Sequence, residues 1–327
     1  MRRRATAVAH PNIALVKYWG KRNAEYNLPA AGSLSLTLQG LSTQTTVEFV
    51  DHQPSDLIIL NDRVLRSGHE RRIVDFLDLM RSISGINLPA VVRSTNDFPT
   101  AAGLASSSSG FAALAAACVV ALGIDVGPAE LSVLARRGSG SAARSILGGF
   151  VEMQPGLAED GSDAYAVPIE PDDHWDLRCL IVLTTRGEKN IGSTRAMEQT
   201  RATSPYYQPW IDSVPEDIEV ARRAVTDRDF QTLATVAERS CLRMHASAMA
   251  ADPGIIYWNG LTTTLIHRVR NLRADGLAAF FTIDAGPHVK VFCEAHQVSA
   301  VEAMLRAVDG VNDIIRAKPG PGVHIVE

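Results

Sequence analysis

The chain has 327 residues, of which 46% are hydrophobic and 21% are charged, and its formal net charge is −4. This composition is typical of a globular protein rather than a disordered one, and the length favours two packed halves over one large domain. The small negative charge excludes a chain-wide attraction to nucleic acid or anionic membrane, so any anion site must come from a local cluster of residues.

The chain contains four widely separated cysteines, Cys118, Cys179, Cys241 and Cys293. The absence of a Cys-x-x-Cys pair predicts a reduced, cytoplasmic protein without structural zinc. The basic start Met1–Arg4 resembles the start of a signal peptide, but polar residues such as Lys17 interrupt the apolar run that should follow. We therefore expect no secretory or membrane-spanning segment.

The first fifty residues contain runs typical of β-strands. The runs at 33–38 and 43–49 alternate apolar and polar residues, which predicts two half-buried strands joined as a hairpin. An earlier run at 12–16 leads into a polar cluster that contains Lys17, Tyr18, Lys21 and Arg22. Cations beside a β-like run are costly to bury, so they face either solvent or an anionic ligand.

Residues 51–90 predict a strand and turn near 57–63, followed by a helix from about Glu70 to Ser82. One face of that helix carries Ile73, Phe76, Leu77 and Met80. We expect this region to serve only as scaffold.

A small-residue loop, Asn96–Gly110, joins a β-like run to an alanine-rich helix at 111–122 that ends at Gly123. Its backbone N–H groups, its four serine hydroxyls and the positive end of the helix dipole would all face a bound phosphate. A serine-rich N-cap is the alternative interpretation. One capping side chain satisfies only one or two free N–H groups, so four consecutive serines favour phosphate binding.

A second polar cluster follows a helix predicted over 128–137, with Pro128 in its first turn. Gly138–Ser141 supplies a permissive backbone and two hydroxyls, and Arg144 lies about one helical turn beyond Ser141. A guanidinium binds phosphate or carboxylate with two parallel hydrogen bonds. A plain linker is the alternative, but the helical stretches on both sides favour a second anion site.

A polar, acidic stretch at 156–173 marks the predicted boundary between the two halves. Beyond it we expect a buried strand at 177–185, a polar loop at 186–197, helices over 215–251, 262–274 and 297–308, and strands at 278–283, 289–293, 312–316 and 322–326. Met244, His245 and Met249 are interpreted as core residues. Asp284 follows a strand, as either a turn aspartate or a functional carboxylate.

Several of these segments resemble a known family. Pro99–Ser108 is similar to the phosphate loop of the GHMP small-molecule kinase superfamily, whose pattern is Pro-x-x-x-Gly-Leu-x-Ser-Ser. Five blocks in the same order resemble the diphosphomevalonate decarboxylases: Asn12–Arg22, Asn96–Ser107, Gly138–Ser145, Gly149–Glu152 and Asp284–Pro287. The loop alone would indicate only an ATP-dependent kinase.

The resemblance implies that mevalonate 5-diphosphate and ATP are converted into isopentenyl diphosphate, CO2, ADP and phosphate. The tertiary 3-hydroxyl is phosphorylated first, and phosphate and CO2 then leave. The implied fold is α+β with a GHMP-kinase-like central cleft. A ribosomal-protein-like βαβ half covers residues 1–178 and a ferredoxin-like half covers 179–327. A cytoplasmic homodimer is the family expectation.

The resemblance also assigns roles to residues. Asp284 would lie against the 3-hydroxyl, as general base or as orienting acceptor, and Lys17 would neutralise charge between the phosphoryl group and the reacting centre. The residues implied to bind the substrate diphosphate and carboxylate are Tyr18, Lys21, Ser139, Gly140, Ser141, Arg144, Ser193 and Thr194. Those implied to bind ATP are Ser94, Asn96, Ala102, Gly103, Leu104, Ala105, Ser106, Ser107, Ser108 and Lys189. Ser107 would be the hydroxyl near Mg2+, and the Lys189 loop would close over the nucleotide phosphates.

Two segments depart from the family pattern. Gly192–Thr194 stands where some bacterial members have Ser-Ser-Arg, with Arg195 one place later, and Ala30–Ser33 stands where the family has an Asn- and Ser-rich stretch. The number of substrate phosphates therefore stays open, and the alternatives are a phosphomevalonate decarboxylase and a kinase that stops at the 3-phosphate. A phosphate-binding protein without catalysis is a third interpretation, against which Lys17 and Asp284 both speak.

Overall fold

The computed structural model describes residues 3–66, 68, 70–98, 106–185, 187 and 191–326. The strands are β1 (Arg4–Ala9), β2 (Asn12–Val16), β3 (Lys21–Asn23), β4 (Leu28–Pro29), β5 (Ser33–Gln39), β6 (Thr43–Phe49), β7 (Leu57–Leu60), β8 (Arg63–Val64), β9 (Ala90–Asn96), β10 (Phe150–Met153), β11 (Ala166–Glu170), β12 (Leu177–Leu183), β13 (Ala279–Ile283), β14 (Val289–Glu294), β15 (Asp313–Pro319) and β16 (His324–Ile325). The helices are α1 (Arg71–Ser84), α2 (Ser106–Leu122), α3 (Pro128–Gly138), α4 (Ala142–Ser145), α5 (Ser193–Thr203), α6 (Tyr207–Thr226), α7 (Phe230–Met249), α8 (Gly260–Ala274) and α9 (Val298–Arg306), with a short 3-10 turn at Ala295–Gln297. Mixed sheets and helices confirm the α+β class.

One sheet has the strand order β16-β1-β6-β9-β7-β8. Helix α2 packs across β1 and β6, and α1, α3 and α4 pack against α2. Apolar and small side chains surround α2, so the helix is buried on nearly all sides, and its residues Ala112, Ala115 and Ala117 are fully buried. Gly123 ends this helix with φ +66°, as the sequence predicts.

The second sheet has the order β11-β10-β5-β15-β12-β14-β13, and β2 also pairs with β5. Along β12, Cys179 and Ile181 contribute to one apolar core, whereas Leu180 and Val182 contribute to another. Helices α6 and α7 belong to the first core and α8 and α9 to the second, so helices cover both faces of this part of the sheet.

The predicted hairpin of β5 with β6 is wrong. The two strands lie in different sheets, and the chain crosses between them at Gly40, whose φ is +109°. The prediction of a half-buried β5 is also wrong, because Ser33 to Leu38 are all buried. The polar residues of β5 are hydrogen-bonded instead: Ser33 and Ser35 accept from Arg144. Periodicity alone does not separate an exposed polar face from a buried, hydrogen-bonded one.

Other boundaries differ less. The predicted helical region at 215–251 is two helices, α6 and α7, because Arg228 adopts φ +55° and Asp229 caps the second helix through the Thr232 amide. The stretch at 156–173 contains the strand β11. Within the described ranges, no helix is both long enough and apolar enough to cross a membrane.

Candidate active site

A cleft with about 900 Å³ of empty volume, part of it open solvent, lies where the two sheets meet. The residues after β2 and β13, the α3–α4 turn and the first turn of α5 contribute to its lining. The cleft brings together the predicted residues Lys17, Tyr18, Lys21, Ser107, Ser139, Gly140, Ser141, Arg144, Ser193, Thr194 and Asp284.

A buried charge cluster forms the floor of the cleft. The Lys17 ammonium donates to Oδ1 of Asp284 at 2.7 Å, and the Lys290 ammonium lies 3.2 Å from Oδ2 of the same carboxylate. The two lysine side chains are 2% and 0% exposed, respectively. Burial by itself raises the pKa of Asp284, but the charges and hydrogen bonds of Lys17 and Lys290 outweigh it and hold that pKa well below the usual range. Asp284 is therefore ionised.

The Asp284 carboxylate has acceptor capacity in reserve. Oδ2 is buried beside the Lys290 ammonium, whereas the Asp284 side chain as a whole is 23% exposed. A carboxylate has about four lone-pair sites, so two lysine ammonium groups do not exhaust its capacity to accept hydrogen bonds. Since Asp284 lines the cleft, a ligand hydroxyl is a chemically suitable donor for its carboxylate.

Arg144 is held rigidly beside this cluster. Its Nε donates to Asn12 Oδ1 at 3.2 Å and to Ser35 at 3.0 Å, and its Nη1 donates to Ser33 at 2.6 Å. The guanidinium carbon lies 5.9 Å from the centre of the Tyr18 ring. Burial lowers the pKa of Arg144 to about 10, which still leaves it cationic at neutral pH. A fixed cation of this kind binds an anion without losing side-chain entropy.

The α3–α4 turn presents hydroxyls to the cleft. The hydroxyl oxygens of Ser139 and Ser141 are 3.4 Å apart, and Ser139 also lies 3.4 Å from Ser107 at the start of α2. A Cβ at Gly140 would lie 2.3 Å from the Tyr18 hydroxyl, so only glycine leaves room for that ring. The N-terminus of α5 brings Ser193 and Thr194 to the same cleft.

Lys21 is oriented by a residue that the sequence did not single out. Its ammonium donates to Asn27 Oδ1 at 2.5 Å, and Asn27 Nδ2 donates to the Arg137 carbonyl at 2.6 Å. Asn27 adopts φ +51°, a left-handed conformation in which Asn is enriched. Burial, followed by the charge of Arg72, lowers the pKa of Lys21.

The expectation that residues 51–90 are only scaffold is wrong. Arg72 of α1 lines the cleft, donates to the Gly138 carbonyl at 3.0 Å and lies 5.1 Å from the centre of the Phe111 ring. The position of Arg72 depends on how α1 packs near the α3–α4 turn. The sequence around residue 72 contains no local pattern that predicts this packing. Lys290 was also missed, although a lysine in the apolar run of β14 was a signal that could have been used.

A second cavity, with about 640 Å³ of empty volume, adjoins the cleft at Ser107, which lines both. Apolar side chains including Ile58, Leu60 and Phe111 form most of its wall. The predicted residues Ser94, Asn96, Ser106 and Ser107 supply its polar side. Thr45 and Thr43 hydrogen-bond to Ser94 and Asn96 at 2.9 and 2.6 Å. Such a pocket suits a planar, partly polar ring system.

Ser108, a predicted ATP-binding residue, does not line either cavity. Ser108 is fully buried in α2. Ala102, Gly103, Leu104, Ala105 and Lys189 lie outside the described residues. Among the residues that the structure describes, no group of three or more His, Cys, Asp or Glu side chains is arranged to hold a metal ion.

Comparison with known proteins gives consistent results. A family model described as "Diphosphomevalonate decarboxylase-like N-terminal domain" matches residues 9–166, and one described as "Mevalonate 5-diphosphate decarboxylase C-terminal domain" matches residues 179–319. The diphosphomevalonate decarboxylase of Aspergillus fumigatus is 37% identical, and the match covers 94% of this chain and 81% of that protein. A solved structure described as "MDDEF in complex with MVAPP, AMPPCP and Magnesium" has a TM-score of 0.93 and 41% identity, with 99% of both chains covered. Mevalonate diphosphate decarboxylase from Staphylococcus aureus has a TM-score of 0.94 and 39% identity, with 99% of this chain and 98% of that chain covered.

Proposed function

This chain belongs to the diphosphomevalonate decarboxylase family, and we propose that it converts mevalonate 5-diphosphate and ATP into isopentenyl diphosphate, CO2, ADP and phosphate. The observation that carries the proposal is the Asp284 carboxylate, which is ionised, held between Lys17 and Lys290, and lines the cleft with its side chain 23% exposed. A carboxylate in this state accepts a hydrogen bond from the tertiary 3-hydroxyl of the substrate.

The chemistry has two stages. The 3-hydroxyl oxygen attacks the γ-phosphorus of ATP, its proton passes to Asp284 or to the transferred phosphate, and ADP leaves. The C3–O bond then breaks and phosphate departs with the bonding pair, which leaves positive charge at C3. The bond between the carboxylate carbon and C2 breaks next, and its electron pair forms the C2–C3 double bond as CO2 leaves.

Asp284 serves this reaction either as general base or as an orienting acceptor. A loose phosphoryl-transfer transition state requires little removal of the proton before the new P–O bond forms. In both cases the carboxylate must be ionised, which the two lysines ensure. Lys17 lines the cleft, so its ammonium is also placed to stabilise charge on the transferred phosphoryl group.

The anionic substrate is bound by the cations and hydroxyls around the cleft. Arg144, Lys21 and Arg72 supply positive charge, and Tyr18, Ser139, Ser141, Ser193 and Thr194 supply hydroxyls around Gly140. One cation 4 Å from a phosphate oxygen contributes on the order of 4 kcal/mol at an effective dielectric of 20. Several fixed cations are therefore needed to hold a diphosphate and a carboxylate beside ATP.

The second cavity is proposed to hold the nucleoside of ATP. Its apolar wall would pack on the adenine ring, while Ser94 and Asn96 would bind the polar edge or the ribose. The phosphates would then run along the N-terminus of α2 past Ser106 and Ser107 toward the cleft. Ala102–Ala105 and Lys189 are proposed to contact the same phosphates.

The donor set fits a magnesium ion bound mainly through ATP. Mg2+ prefers oxygen ligands and is often held by substrate phosphates with one or two protein oxygens. Ser107 offers an exposed hydroxyl where the two cavities meet, so it would supply the protein oxygen. The ion would neutralise phosphate charge during transfer.

The finer points of organisation are also proposals. Halves over residues 1–178 and 179–327 are supported by the two adjacent family matches. The four free cysteines support a reducing, cytoplasmic location. A homodimer is the family expectation, and analytical ultracentrifugation tests it.

The decisive experiment incubates the protein with ATP and either mevalonate 5-phosphate or mevalonate 5-diphosphate, and measures CO2 and ADP together. We expect equal amounts of both products and a higher kcat/KM for the diphosphate. ADP without CO2 would identify a 3-kinase, and preference for the monophosphate would identify a phosphomevalonate decarboxylase.

A substitution tests the assigned chemistry. Asp284→Ala should retain ATP affinity and reduce turnover by about 10²- to 10⁴-fold, the range for loss of a positioned acid–base group. ATP binding is measured by calorimetry and turnover by CO2 release. Near-normal turnover of the variant would refute the mechanism.

A further inference from the structure

One face of helix α7 contacts the backbone of Lys17 and that of Ile283, the residue before Asp284. Ser240, Cys241, Met244 and His245 share this face because they are spaced one helical turn apart. Each of these four side chains is buried, and Met244 also lines the cleft. The sequence suggested core filling for Met244 and His245, and burial confirms that, but the hydrogen bonds of this face go beyond packing.

The first contact fixes Lys17. Lys17 directly follows the last residue of β2, and its backbone N–H donates to the Ser240 hydroxyl at 3.0 Å. Ser240 is fully buried. Its hydroxyl therefore determines where the chain turns away from β2 and where the lysine side chain starts.

The second contact fixes the backbone of Ile283, the residue immediately before Asp284. The Ile283 N–H donates to Cys241 Sγ at 3.2 Å, and the Ile283 carbonyl accepts from His245 Nε2 at 3.2 Å. A carbonyl oxygen only accepts, so Nε2 must carry the proton. Burial lowers the pKa of His245 to about 3, which keeps the ring neutral and preserves this tautomer. Cys241 and His245 thus hold both backbone polar groups of Ile283, the residue before Asp284.

The helix is itself well fixed. The His245 ring centre lies 4.9 Å from that of Trp258, and α7 packs on α6, β2 and β13. In addition, Thr282 of β13 donates to the Ala14 carbonyl of β2 at 3.4 Å. Lys17 and Asp284 are separated by 267 positions in the sequence, so contacts of this kind decide their distance.

We propose that Ser240, Cys241 and His245 are positioning residues that set the Lys17–Asp284 geometry through the backbone, an inference that rests on the proposed function. None of the three needs to touch a ligand. A misplacement of about 1 Å at a reacting group costs roughly 10²-fold in rate, so losing one contact should lower kcat more than substrate affinity.

The test compares matched variants by steady-state kinetics. Ser240→Ala is paired with Ser247→Ala, because Ser247 is equally buried in the same helix but donates only to the Met244 carbonyl. His245→Met removes the donor at similar volume, and His245→Gln keeps an N–H near the Nε2 position. We expect Ser240→Ala and His245→Met to lower kcat by about 10-fold with the KM for ATP nearly unchanged, while Gln restores most of the loss.

A second comparison separates positioning from general destabilisation. In the Asp284→Ala background, His245→Met should produce no further loss of turnover, whereas a destabilising effect would persist. Equal kcat losses in Ser240→Ala and Ser247→Ala, or equal losses in His245→Met and His245→Gln, would overturn the proposal. If His245→Met does not fold, the comparison of Ser240→Ala with Ser247→Ala still tests the proposal. Failure of the wild-type chain to release CO2 would instead contradict the proposed function.

Discussion

Lys290→Met should change how the activity of this protein depends on pH. Lys290 is fully buried and lies 3.2 Å from Asp284 Oδ2, so the variant removes one of two cations that keep the carboxylate ionised. At that distance Coulomb attraction is about 5 kcal/mol for an effective dielectric of 20. Lys17 still lies 2.7 Å from Oδ1, so the variant loses only part of the lowering of the Asp284 pKa. We expect the pKa of Asp284 to rise by about 1 to 3 units.

The direction of the pH shift follows because the ionised Asp284 carboxylate is the active form. In the wild type, the depressed pKa keeps Asp284 ionised until the pH falls far below its ordinary value. The lowered pKa of Asp284 also stabilises the folded state at pH values above the unfolded-state pKa. This stabilisation is lost as the pH falls through the folded-state pKa. In Lys290→Met both the acid limb of kcat/KM and the acid loss of stability should therefore move to higher pH.

The assay is kcat/KM for CO2 release between about pH 2.5 and pH 8, a range that reaches below the ordinary pKa of Asp, with unfolding temperature measured across the same range. Lys290→Arg is the matched control, because it keeps a cation at the site and should retain an acid limb near that of the wild type. An acid limb of Lys290→Met that coincides with that of the wild type would refute the assignment of Lys290 as a counter-ion of Asp284.

Three further substitutions test other parts of the structure. Gly140→Ala would place a Cβ 2.3 Å from the Tyr18 hydroxyl and should raise the KM for the phosphorylated substrate at least about 10-fold, whereas Gly127→Ala, which meets no atom within 4 Å, should leave it unchanged. Arg72→Ala should raise the KM for an anionic substrate about 10-fold. Arg71→Ala, at the neighbouring exposed residue, is the control, and an equal rise in KM for both variants would contradict a specific role of Arg72. Phe280→Ala, at a buried ring 5.1 Å from Phe292, should lower the free energy of unfolding by about 3–5 kcal/mol in urea titrations, and a change below about 1 kcal/mol would refute its place in the core.

The sequence by itself determined the α+β class, most helices and the local clusters that are proposed to bind anions. Gly138–Ser141 and Arg144 were recognisable because small residues, hydroxyls and a guanidinium occur within one short segment, and the structure places them together in the cleft. Asp284 was recognisable as a carboxylate that follows a strand. These features depend on neighbours along the chain, and the resemblance to a family linked them to one reaction.

The tertiary structure decided which distant residues meet. Lys290, Arg72 and the α7 face were not predicted as part of the site, because each acquires its partner through packing between elements far apart in sequence. The partners of β5 were mispredicted for the same reason. Polarity alternates along β5 although the strand is buried, since Arg144 satisfies two of its serines. A periodic pattern reports the chemistry of successive side chains, whereas burial and pairing depend on the surfaces that fold against them.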